Sequence, residues 1–129
     1  MASQPFVVEE KSVAVESGED RGVSWRTLTS ADRTPTTELT SGVCEIDPGC
    51  ELPLHTHPPL ELYYFLEGSG VVTMGGREHP ARPGSTFSIP AGFPHGVRNT
   101  GADTLKFFYV FPTASYSDVE YTMLDQPVG

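Results

Sequence analysis

The 129-residue sequence predicts a single all-β domain, a sandwich or barrel of short antiparallel strands. Three observations predict it. Gly and Pro are abundant, at 13 and 12 residues, and cluster between short apolar runs, as turn residues do. Those runs alternate apolar with polar residues, the period of a half-buried strand. No helical period persists for more than a turn or two, and the length suits one core rather than two.

Residues 1–22 read as an acidic N-terminal arm, either mobile or an edge strand that pairs with a neighbour. Residues 23–28 form a strand carrying Trp25 and Arg26, 30–37 a loop, and 38–46 an alternating strand broken by Asp47-Pro48-Gly49. A leucine-rich and aromatic strand at 60–66 ends at Gly68 and Gly70. Residues 71–74 and 77–81 flank Gly75-Gly76 as a hairpin. Pro83-Gly84 is a turn, 86–89 a short strand, 90–94 a loop, 96–99 a strand and 100–103 a turn. The most hydrophobic strand is 105–111, whose alternate members line the interior and give it an aromatic wall suited to a small organic ligand. The barrel is expected over 23–115, with the polar tail 116–129 packing on or near it.

The formal net charge of −9 argues against nucleic acid, whose phosphates are bound by Lys and Arg, and against an anionic membrane surface. No apolar stretch has the length of a transmembrane helix. The first 20 residues lack both a basic start and a sustained apolar core, so no signal peptide is expected. Two cysteines, Cys44 and Cys50, fit a cytoplasmic protein with reduced thiols, although a bridge between them stays open.

Three of the four histidines and one glutamate stand out. His55 and His57 are two apart, so an extended backbone points both imidazoles to one face. Glu61 and Tyr63 share their odd-numbered parity, and His95 arrives from a later hairpin. Imidazole with carboxylate suits one divalent first-row metal. Four protein ligands would close a tetrahedral zinc, whereas iron, manganese, nickel or cobalt would keep two adjacent positions open for chemistry.

These residues resemble the cupin superfamily. Its first motif, G-x5-H-x-H-x3-E-x6-G, is matched from Gly49 through His55, His57 and Glu61 to Gly68. Its second, G-x5-P-x-G-x2-H-x3-N, is matched from Gly84 through Pro90, Gly92 and His95 to Asn99. The resemblance implies an antiparallel jelly-roll β-barrel, the metal inside it on His55, His57, Glu61 and His95, and a homodimer. The segment also resembles cupin lyases that cleave dimethylsulfoniopropionate, in which the tyrosine matching Tyr63 acts as a base beside the metal.

Tyr63 is then either that base or a packed aromatic. Tyr64, of opposite parity, is expected in a core between barrel and flanking strand. Arg26 either faces the barrel and anchors a substrate carboxylate or lies on the surface. Trp25 packs or lines the mouth, and Phe93 shapes the entrance or simply packs. Asn99 is expected to hold a turn by hydrogen bonds, and His79 to be solvated. Taken together, the expectation is a metal-dependent lyase on a small molecule bearing a carboxylate or carbonyl. The other two readings are an iron-dependent dioxygenase and a non-catalytic metal- or small-ligand-binding cupin.

Overall fold

A computed structural model describes residues 4–36, 38–114 and 119–124. The expectations for 1–3, 116–118 and 125–129 lie outside the described residues. The strands are β1 (Glu16–Ser17), β2 (Val23–Thr29), β3 (Thr40–Ile46), β4 (Glu51–Thr56), β5 (Glu61–Glu67) and β6 (Gly70–Met74). They continue as β7 (Arg77–Ala81), β8 (Thr86–Ile89), β9 (His95–Asn99), β10 (Leu105–Phe111) and β11 (Thr122–Met123). All pair antiparallel, into a six-stranded sheet β1-β2-β3-β10-β5-β8 and a five-stranded sheet β11-β4-β9-β6-β7. This is the antiparallel jelly roll expected from the sequence.

Alternation decides which side chains face inward. β10 buries Leu105, Phe107, Tyr109 and Phe111 and leaves the residues between them half-buried. β5 buries Glu61, Tyr63 and Phe65. These meet Val72 and Val97 of the facing sheet in one core, with Phe65 and Phe107 rings 4.9 Å apart. Each large side chain removed from water there contributes about 1.5–3 kcal/mol. Tyr64 departs from expectation: it is 44% exposed, because it points outward from β5 and, among the described residues, no further layer covers that face.

β4 is a strand that the sequence does not announce. Pro53 sits within it, and its ladder to β9 shifts register between Leu52 and His55. β9 accepts β4 closely because Gly96 has no side chain; a Cβ there would sit 3.0 Å from the Leu52 carbonyl oxygen.

The N-terminal arm folds back on its own chain. β1 pairs with β2 through Glu16↔Trp25 and Ser17↔Ser24. The Arg26 guanidinium donates to the carbonyls of Glu10 (3.2 Å) and Val13 (2.7 Å), and Lys106 Nζ lies 2.9 Å from the Glu10 carboxylate. At the other end β11 adds to β4 beside His55, which brings 119–124 over the barrel mouth.

Candidate metal centre

His55 on β4 and His95 on β9 are direct cross-strand partners, with ring centroids 4.2 Å apart. His57 lies just beyond β4, and Glu61 opens β5. All four are buried. Each imidazole gives Nδ1 to a backbone carbonyl: His55 to Pro53 (2.7 Å), His57 to Pro59 (2.9 Å) and His95 to Phe93 (2.8 Å). A carbonyl only accepts, so each Nδ1 carries a proton, and a ring in its neutral form presents an Nε2 lone pair. Candidate ligand atoms of the three histidines lie within 4.8 Å of one another. Glu61 Oε1 is 3.0 Å from His57 Nε2 and 3.2 Å from His95 Nε2.

That is a cluster of acceptors aimed at one another. The three histidines could hold a metal ion, and the donor set of imidazole and carboxylate fits a divalent first-row metal. Burial, and after it the neighbouring His95, pushes the His55 imidazole down to about 4, so it is neutral and ready to ligate at pH 7.

The centre opens onto a cavity of about 170 Å³ between the sheets. Tyr63 and Glu61 share its wall, and the Tyr63 ring lies 6.0 Å from that of His95. Burial first, then the Glu61 carboxylate, holds the Tyr63 phenol well above its ordinary pKa. Cys44 also lines the cavity; burial, then Glu61, pushes its thiol far up. Both cysteines are free and buried, so no Cys44–Cys50 bridge forms.

The other expected residues divide. Trp25 lines the cavity. Arg26, its neighbour of opposite parity, turns outward to the arm and is not brought to the site. Phe93 is not brought there either: its ring covers the Gly75 turn, where a Cβ would sit 2.7 Å from Phe93 Cζ, and only its carbonyl serves the site, through His95. Asn99 holds its turn, donating to the carbonyls of Ile46 and Asp103 and accepting from the Gly101 amide. His79 lies away from the centre, beside Phe87. Two contributors escaped the sequence reading. Tyr121 stands 5.2 Å, ring to ring, from both His55 and His57, and Asp20 lines the cavity. Both come from segments without strong strand patterning. Among the described residues, no helix is long and apolar enough to cross a membrane.

Comparison with known proteins follows the same lines. The family described as Cupin domain matches residues 42–111. Dimethylsulfoniopropionate lyase DddW of Ruegeria pomeroyi is 36% identical over 120 residues, covering 91% of this chain and 78% of that protein. Among solved structures, the polyketide cyclase RemF of Streptomyces resistomycificus aligns with a TM-score of 0.79 at 24% identity, covering 95% of this chain and 89% of RemF. A predicted oxalate decarboxylase of Thermotoga maritima aligns with a TM-score of 0.75 at 27% identity, covering 84% and 99% of the two chains.

Proposed function

This chain belongs to the cupin domain family, and on that premise we propose that it is a metal-dependent lyase acting on a small carboxylate-bearing molecule of the dimethylsulfoniopropionate type. One observation carries the reading. Tyr63 is buried inside the barrel, on the same cavity wall as Glu61 and beside the His95 ring. An identity of 36% over nearly the whole chain to a lyase of that substrate supports it.

His55, His57, Glu61 and His95 would hold the metal. Four protein ligands would close a tetrahedral zinc, whereas iron, manganese, nickel or cobalt would keep two positions open for substrate, which favours one of those metals. A dication held there would supply Lewis acidity toward a substrate carboxylate and would offset the Glu61 charge, which after burial is what holds the phenol protonated. Tyr63, once ionised, takes a proton from the carbon next to the carboxylate and becomes the phenol again. The C–H electron pair forms the new C=C bond, and the C–S pair leaves with the sulfur. The aromatic wall excludes water while this happens. The working unit we propose is a homodimer in the cytoplasm.

The test assays the metal-loaded protein with dimethylsulfoniopropionate, both anaerobically and in air with oxygen uptake recorded. The lyase reading expects dimethyl sulfide and acrylate in equal amounts with no oxygen consumed. Product that forms only with oxygen uptake would hand the site to the dioxygenase reading, and binding without turnover to the non-catalytic one.

A further inference from the structure

Four side chains form one row across the smaller sheet. Met123 on β11 is the direct partner of His55 on β4, His55 of His95 on β9, and His95 of Met74 on β6. Opposite residues of an antiparallel ladder share a face, so both thioethers flank the histidines on the inner side. Each also stands in the closer kind of pair. The Leu124 amide donates to the Leu54 carbonyl (3.0 Å) and the Gly75 amide to the Pro94 carbonyl (3.1 Å), which puts the hydrogen-bonded pairs one residue further along. Met123↔His55 and Met74↔His95 are therefore non-hydrogen-bonded pairs, whose Cα atoms stand about 4.5 Å apart with their side chains close. The two thioethers differ in what they reach. Met74 packs against the hydrophobic core. Met123 lines the cavity together with Glu61, whose Oε1 lies 3.0 and 3.2 Å from His57 and His95 Nε2, and it is 50% exposed, within reach of an ion arriving from solvent.

We infer that Met123 gives the histidine centre a second use, as a copper(I) site in which its thioether joins the imidazoles of His55 and His95. The elimination chemistry asks nothing of this sulfur, since imidazole and carboxylate suffice for a divalent ion. Copper(I) is soft: it favours thioether and imidazole over carboxylate, and its low coordination number leaves Glu61 aside. A thioether donates without losing a proton, which the buried Cys44 thiol must first do. Copper(I) held this way occupies ligands that the divalent ion needs and offers little Lewis acidity to a carboxylate. It is a competing, inactive state of the centre. The inference rests on the histidine cluster and the strand register, and not on the lyase reading.

The experiment titrates the full chain without oxygen, once with copper(I) in competition with bicinchoninate and once with manganese(II). Met123→Leu nearly keeps the side-chain volume and removes the sulfur, and Met74→Leu does the same beside the other histidine. Met123→Leu should lose about tenfold or more in copper(I) affinity with manganese(II) affinity unchanged, as the loss of a soft donor requires. Met74→Leu should leave both affinities as they are. X-ray absorption of the copper(I)-loaded wild type should show a sulfur neighbour that Met123→Leu lacks. Undiminished copper(I) affinity in Met123→Leu, a parallel loss of both metals, an equal loss in Met74→Leu, or copper ligated by nitrogen and oxygen alone would overturn the site. Sulfur-ligated copper(I) without manganese(II) uptake upholds this site while the divalent centre falls, and manganese(II) uptake without sulfur-ligated copper(I) does the reverse.

Discussion

At the residue scale, the centre is built by two shells that lie close together in sequence. Pro53 and Pro59 supply the carbonyls that orient His55 and His57, and Phe93 supplies the one that orients His95. That His55, His57, Glu61 and His95 come together was legible from spacing, parity and the motifs, while the carbonyls that orient the rings required the folded backbone. If Glu61 is a ligand, Glu61→Gln should weaken metal binding by more than the ~10–100-fold typical of a lost outer partner. Competition against a chelator measures this, and wild-type affinity would place Glu61 outside the coordination shell. The depressed His55 pKa makes a second prediction, for the metal-free protein. The fold favours the neutral ring, so its contribution is complete above the unfolded value of 6.5 and is lost as pH falls through about 4. Urea unfolding between pH 7 and pH 4 should show stability dropping by roughly 3 kcal/mol from this group. A flat profile would mean that the ring is better solvated than its burial implies.

At the element scale, most strands follow from alternation, and the exceptions have physical causes. β10 and β5 alternate strictly and were readable as core strands. β4 was not, because Pro53 and the register shift at 52–55 break the pattern in the strand that delivers His55. Tyr121 was invisible for another reason: its position depends on β11 pairing with β4, a contact between distant parts of the chain. Gly42 on β3 shows how closely the cavity wall is packed. A Cβ there would sit 2.6 Å from the Arg26 carbonyl oxygen and closer still to the Tyr109 hydroxyl. Gly42→Ala should therefore cost about 1–3 kcal/mol in urea unfolding. An unchanged midpoint would show that Tyr109 is free to leave its place over β3.

At the scale of the whole molecule, two sheets flank a cavity that Glu61 lines at its inner end and that Gly18, Asp20, Tyr121 and Met123 line elsewhere. Fold class was readable because turn chemistry and alternation agree along most of the chain. The mouth was not, because Asp20 and Tyr121 lie in segments whose pairing depends on the finished barrel. The outer face of the larger sheet exposes Tyr64 and Leu66 from β5, surface that the proposed homodimer would cover. Light scattering at micromolar concentration should then give twice the 14.0 kDa chain mass, and a monomer would contradict the dimer. The central claim is that a metal centre and a buried phenol together carry out an elimination. Its most direct test compares the wild type and Tyr63→Phe, both loaded with metal, by dimethyl sulfide released from dimethylsulfoniopropionate. The account predicts that the variant keeps its full metal content and loses ~10²–10⁴-fold in turnover. Near-normal release by Tyr63→Phe, or none by the loaded wild type, would contradict it.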